Sequence, residues 1–213
     1  MKKFLQWIGS FFLGFLIFQV LFRIVRRNFH FPAPPFIASL LNSRWRERWQ
    51  PPDEVLERSR VSAGKKVLEV GSGGGYFLPR AAARVGESGK VYALDISPYM
   101  IRIAQHYLFE RAPSHFEKVE FLQQSAYDLP FDDETLDVVY FVGSLMEIPH
   151  PDRSLNAVYR VLKPGGTVSV SEMLPDPDYP GVYRSAALLK AAGYKIIDLS
   201  GNFLSYTITA VKL

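Results

Sequence analysis

The sequence predicts an α/β protein built on a doubly wound, mostly parallel seven-stranded sheet with an antiparallel last strand, preceded by one transmembrane helix. Three observations predict it. From residue 65 onward, short apolar runs alternate with helical stretches, the pattern of strands joined by crossover helices. The chain closes on two strand-like runs, 194–199 and 203–212, separated by the hairpin signal Ser200-Gly201-Asn202. Residues 4–22 form an apolar stretch that carries no charge.

At the measured helical rise, those nineteen residues span roughly 28 Å, the hydrocarbon thickness of a bilayer. Phe, Leu and Ile occupy every face of a helical wheel, so a spanning helix is favoured over one lying in the membrane plane. A cleaved signal peptide fits less well, because Arg23, Arg26 and Arg27 follow the run where a small-x-small site would stand. Those arginines, with Arg44, Arg46 and Arg48 beyond them, place the rest of the chain in the cytosol by the positive-inside rule.

Charge divides the chain the same way. Residues 1–50 hold eight Lys or Arg against one Glu, whereas residues 51–213 hold seventeen against twenty acids, so the net charge of +4 comes from the first quarter. The remainder is weakly acidic and lacks a basic stripe, and no nucleic-acid partner is expected. With no cysteine, thiolate metal sites, cysteine nucleophiles and disulfides are excluded, and no metal site is expected.

Three divisions follow: a transmembrane helix with basic flanks over 1–27, a Pro-rich connector over 28–60, and a globular domain over 61–213. Pro32, Pro34 and Pro35 stop the membrane helix. A short helix over 36–49 sets Trp45 and Trp49 on one face and Arg44 and Arg48 beside it, a composition that suits either the headgroup layer or a packed lid. In the domain, strands are expected at 66–70, 91–95, 119–123, 136–142, 167–172, 194–199 and 203–212. Helices are expected at 76–85, 98–109, 153–162 and 183–192.

The first strand runs into Val67-Leu68-Glu69-Val70-Gly71-Ser72-Gly73-Gly74-Gly75. Glycines at a strand-to-helix turn let the backbone approach a ligand, and the helix start offers free amides. The dinucleotide fingerprint fails, since the sixth position is Tyr76 or Leu78 according to register, and no lysine follows to make a phosphate loop. What fits is E-x-G-x-G-x-G, with an acidic residue, Asp95, closing the second strand 24 residues beyond Gly71.

With KVYALDIS at 90–97, DLPFDDETLDVVY at 128–140, RVLKPGGTVSVSE at 160–172 and AGY at 192–194, the chain resembles the class I S-adenosylmethionine-dependent methyltransferases over 61–213. The resemblance implies a Rossmann-like sheet, S-adenosylmethionine as cofactor, and a cofactor site drawn from Glu69, Gly71, Ser72, Gly73, Gly75, Asp95, Ile96, Ser125, Ala126 and Tyr127. In that family Glu69 holds the loop and the cofactor's ammonium, Asp95 accepts the ribose hydroxyls, and Ile96 packs on adenine. Gln124-Ser125-Ala126 stands where relatives commonly show Gly-Asp-Ala, so the adenine amino group meets a serine hydroxyl in place of a carboxylate.

Methyl transfer from a sulfonium depends chiefly on alignment, and a base is needed only where the acceptor must lose a proton. Glu147 and His150, after the fourth strand, are the candidate catalytic residues. No Asn/Asp-Pro-Pro-aromatic motif marks amino methylation of nucleic acid or protein glutamine. Some twenty residues separate the fifth and sixth strands, too few for an inserted substrate domain, so the connector is the expected lid. The expected enzyme is therefore a single-pass, membrane-anchored methyltransferase. Its partners would be the bilayer, through 4–22, and a lipophilic or small-molecule acceptor such as a quinone precursor or phospholipid amine. The alternative is a membrane-tethered scaffold that binds the cofactor without catalysis.

Overall fold

The computed structural model describes Gly14, residues 46–48, 50–174, Asp176 and residues 178–213. The predicted transmembrane helix and most of the 36–49 helix, Trp45 and Trp49 included, lie outside the described residues. Among those described, no helix is long and apolar enough to cross a membrane.

A short 3-10 turn at Arg46–Arg48 precedes α1, Pro52–Arg58. Seven strands then alternate with four helices: β1 Lys66–Val70, α2 Leu78–Val85, β2 Lys90–Asp95, α3 Pro98–Arg111, β3 Val119–Gln123, β4 Leu136–Val142, α4 Pro151–Val161, β5 Leu162–Met173, α5 Val182–Ala191, β6 Lys195–Gly201 and β7 Ser205–Val211. The strand order is β3-β2-β1-β4-β5-β7-β6. The first five strands are parallel neighbours, and β7 enters antiparallel between β5 and β6. The expected mixed sheet and its antiparallel ending are thus observed.

Each face of the sheet carries its own core. Leu68, Val70, Val139 and Phe141 point towards α4 and α5, while Val67, Val138 and Tyr140 point towards α2 and α3. Strands buried on both faces explain why β1 and β4 read as continuous apolar runs. The helices start on local signals. Ser97 accepts a hydrogen bond from Met100 N at the head of α3, with Pro98 in the first turn, and Pro151 opens α4.

Three of the differences from the sequence expectation bear on how the domain is built. Helix α2 begins at Leu78 instead of residue 76, because Gly75 has φ +79° and its carbonyl accepts Leu78 N, keeping Tyr76 and Phe77 in the turn. Strand β5 begins at Leu162 instead of residue 167, since Leu136 pairs with Leu162 before a register shift carries Val138 to Thr167. The third difference lies in the connector. Its last ten residues hold α1, whose Val55 and Leu56 are buried.

Polar contacts lock α1 to the sheet. Ser169 Oγ donates to Ser59 Oγ at 2.6 Å, Thr209 Oγ1 to the Arg58 carbonyl at 2.8 Å, and Gln50 Nε2 to Ser171 Oγ at 3.3 Å. Ser169, Ser171, Thr207 and Thr209 make this face of β5 and β7 buried but polar, so α1 satisfies groups that would otherwise be stranded. A period-two run of Ser and Thr in the sequence gives no hint of which segment will cover it.

Candidate active site

Strand order reverses between β1 and β4, and ligands of open α/β sheets bind beyond the carboxyl ends of the strands at such a point. A cavity of about 380 Å³ lies there, within the size range of small-molecule sites. Its walls come from the β1–α2 turn, the ends of β2 and β3, the segment after β4, and the segment after β5.

The glycines of the first turn serve different needs. A Cβ on Gly71, φ +74°, would stand 2.5 Å from Ser144 Cβ, and one on Gly75 would stand 2.9 Å from the backbone of Ala104 in α3. Both are required by packing inside the protein. Gly73, φ +50°, has nothing within 4 Å of such a Cβ and lines the cavity, so it alone of the three leaves room for a ligand to approach the backbone. Beside it, Ser72 Oγ is buried with no hydrogen-bond partner among the described residues. Buried hydroxyls are normally satisfied, and this one borders the cavity.

Asp95 ties the turn to β2. One carboxylate oxygen accepts Gly73 N at 2.8 Å and the other accepts Ser97 N at 2.8 Å. Burial pushes its carboxyl above the ordinary 3.8, against the backbone N–H groups of Ser97, Gly73 and Ile96 that pull it down. Ser97 supplies the cap of α3, so Asp95 has no capping duty. Ile96 is 62% exposed and lines the same cavity.

Glu69, buried, accepts a 3.0 Å hydrogen bond from Tyr140 Oη and reaches the cavity wall. The Tyr140 hydroxyl is pushed well above its usual range by burial first and by the Glu69 charge second, so it stays protonated and donates. Ser125, Ala126 and Tyr127 line the opposite wall. Ser125 Oγ already accepts Tyr127 N at 3.3 Å. Tyr127 in turn accepts His150 N at 3.0 Å on its hydroxyl and carries the Arg153 guanidinium 4.7 Å above its ring.

The two candidate catalytic residues separate. Glu147, at the end of a 3-10 turn over Leu145–Glu147, lines the cavity. His150 does not: its side chain is exposed, and its place before Pro151 makes it the residue that precedes α4. Its ring lies 6.4 Å from that of Tyr127, which does line the cavity. Sequence reasoning also missed Tyr76, Phe77, Met100, Met173 and Asp176, all on the wall. The carboxyl-end rule, applied to β5, would have pointed to Met173 and Asp176. Among the described residues, no three His, Asp or Glu side chains stand close enough to hold a metal ion.

A nucleotide-type crevice with a glycine turn, a strand-end aspartate and an exposed isoleucine defines a class I methyltransferase-like α/β protein. Residues 61–195 match the family described as "Methyltransferase domain", and the chain belongs to it. It is a methyltransferase domain that uses S-adenosylmethionine. The chain is similar to the "Ubiquinone/menaquinone biosynthesis C-methyltransferase UbiE" of Idiomarina loihiensis, 35% identical over 118 residues covering 55% of this chain and 46% of the relative. It is also similar to the protein of that name from Ectopseudomonas mendocina, 30% identical over 151 residues covering 71% of this chain and 57% of the relative. The chain thus spans about half the length of the curated relatives it matches. A "SAM dependent methyltransferase from Aquifex aeolicus" shares the fold with a TM-score of 0.78 at 24% identity, covering 85% of this chain and all of that one.

Proposed function

We propose that this chain methylates a ring carbon of a lipophilic, hydroxylated aromatic acceptor of the quinone-precursor type. One observation carries the reading: past the glycines the cavity wall is largely apolar, formed by Tyr76, Phe77, Ile148, Pro149 and Met173, with the carboxylates of Glu147 and Asp176 set into it. An aromatic ring fits such a wall, and a carboxylate there suits removal of a phenolic proton. The names of the two relatives point the same way.

The residues present fit the cofactor. Gly73 would give the cofactor backbone clearance, the Ser72 hydroxyl would meet it from the turn, Asp95 would accept from the ribose hydroxyls, and Ile96 would cover adenine. Ser125, Ala126 and Tyr127 close the adenine side, with Gly71 and Gly75 shaping the turn from within. Glu69, held by Tyr140, faces the ammonium end. Bound there, S-adenosylmethionine supplies an electrophilic methyl group on a sulfonium. Glu147 takes the phenolic proton, which makes the neighbouring ring carbon nucleophilic, and the ring proton is lost after the new carbon–carbon bond forms.

The proposal includes a membrane anchor through residues 4–22, with the catalytic domain on the cytosolic side, supported by the charge-free run and its arginine collar. Flotation with membranes after alkaline extraction, and protection of the C-terminus from external protease, are the expected results. The acceptor is tested by profiling quinones and lipids in cells that carry the protein or Asp95→Ala. Loss of one species and gain of its counterpart lighter by one methyl group is expected, and unchanged quinone and lipid profiles would refute the acceptor class.

A further inference from the structure

Among the described residues, an apolar surface lies outside the cavity at the end of the sheet. The β6–β7 hairpin ends in Phe203, 77% exposed, and the first turn of α5 carries Tyr183, 89% exposed. Leu199 and Leu174 are exposed beside them. The segment after β5 is tied to the hairpin tip: Leu174 N donates to the Leu204 carbonyl at 2.6 Å, and Tyr179 Oη, three residues before α5 begins, donates to the Phe203 carbonyl at 2.6 Å. Because β6 runs parallel to β5, the hairpin tip lies at the carboxyl edge of the sheet, the edge on which the cavity opens. Met173 and Asp176, on either side of Leu174, line that cavity. The apolar rim therefore adjoins the acceptor side.

The chain also enters the domain at this edge. Gln50 is bonded to Ser171, two residues before Met173, and Ser171 pairs with Thr207 behind the hairpin tip. Upstream lie the charge-free residues 4–22. Residues 23–49 between them reach at most about 90 Å when extended, so an anchor alone does not set which face of the domain meets the bilayer. An apolar rim can set it. Arg184 follows Tyr183 and is exposed, as suits a side chain among lipid phosphates, while the carboxylates near these positions, Asp176, Asp178 and Asp198, are half-buried, the last accepting a hydrogen bond from Ser200.

We infer that the β6–β7 hairpin tip and the first turn of α5, through Phe203, Tyr183, Leu199 and Leu174, insert into the headgroup layer of a bilayer and turn the acceptor side of the cavity towards it. This rests on the lipophilic acceptor and the anchor proposed above. Aromatic and aliphatic side chains held on a firm edge, with a cation at the margin, are the chemistry of an interfacial contact. The contact would let an acceptor move between lipid and cavity without crossing bulk water.

The lack of cysteine makes the test direct. Full-length Phe203→Cys and Ser62→Cys, the latter exposed at the opposite edge before β1, are labelled with an environment-sensitive fluorophore and reconstituted into phosphatidylcholine–phosphatidylglycerol vesicles. The label at 203 should shift to the blue, and shallow lipid nitroxides should quench it at least about threefold more than the label at 62. Equal quenching at both positions, or none at 203 in protein that floats with vesicles, would overturn the rim and leave the anchor standing. Protein that does not float overturns both. A blue shift in detergent without lipid overturns the inference by assigning the rim to residues 28–45 or a second copy.

Turnover gives a second readout. Phe203→Ser/Tyr183→Ser should lose about tenfold on a long-chain prenylated hydroquinone held in vesicles and change little on its short-chain soluble analogue. Equal loss on both overturns the inference. Absence of turnover in the parent protein rejects the acceptor class and leaves the quenching result to decide the rim.

Discussion

The two walls of the cavity are built on different principles. On the cofactor side, positions are fixed by backbone: Gly73 and Ser97 donate to Asp95, and Gly71 and Ser72 both donate to the Leu94 carbonyl. On the acceptor side, the wall is assembled from side chains of the β1–α2 turn and of the segments after β4 and β5. The comparison teaches that a constant ligand is gripped by strand ends and turns whose geometry the sheet dictates. A variable one is met by loops that alter without disturbing the sheet.

The sharpest way to break that comparison is Glu147→Gln. If the carboxylate removes a proton on the acceptor side alone, kcat should fall about a hundredfold or more while cofactor affinity by calorimetry stays unchanged. A parallel loss of cofactor affinity would show that the two walls are not separable.

Asp95→Ala should do the reverse, weakening the cofactor about 10- to 100-fold through lost charge-assisted hydrogen bonds. Its pH dependence is specific. Because burial raises this carboxyl, its contribution to the stability of the unliganded fold is complete below the ordinary 3.8 and is lost as pH rises through the raised value. Cofactor binding needs the carboxylate and runs the other way, so affinity measured by titration should fall as pH drops through that raised value. In Asp95→Asn the fall should vanish.

The glycine turn sharpens the comparison within one wall. Gly75→Ala drives a methyl group against Ala104 of α3 and should cost on the order of 2 kcal/mol of stability in denaturant melts. Gly73→Ala meets no protein atom and should cost about 1 kcal/mol for its left-handed backbone, with the larger effect on cofactor affinity. Smallest is His150→Ala: with the side chain exposed and off the wall, both kcat and stability should stay within about 0.5 kcal/mol of the parent protein.

Much of the fold was legible because its signals are local. Buried parallel strands read as apolar runs, Ser97-Pro98 as a helix start, and Ser200-Gly201-Asn202 as a reversal. Glu69 and the glycine turn were legible because strand end and turn are contiguous in sequence, and Asp95, 24 residues beyond Gly71, was legible as the acidic residue that closes the second strand. Closeness in sequence did not decide position after β4: Glu147, the last residue of the 3-10 turn, lines the cavity, whereas His150, the residue before α4, is not among the lining residues.

By itself, the sequence determined the alternation of strands and helices, the antiparallel ending, the glycine turn with its aspartate, and a charge-free segment ahead of a weakly acidic domain. These follow from period, composition and the stereochemistry of single residues, which act over a few positions of chain. Only the tertiary structure decided which glycine leaves room for a ligand, that α1 belongs to the domain by covering a polar sheet face, that Asp176 and Met173 join the cavity wall, and that Phe203, Tyr183 and Leu174 share one edge. Those are contacts between residues far apart in sequence, and they exist only once the sheet has set its strand order.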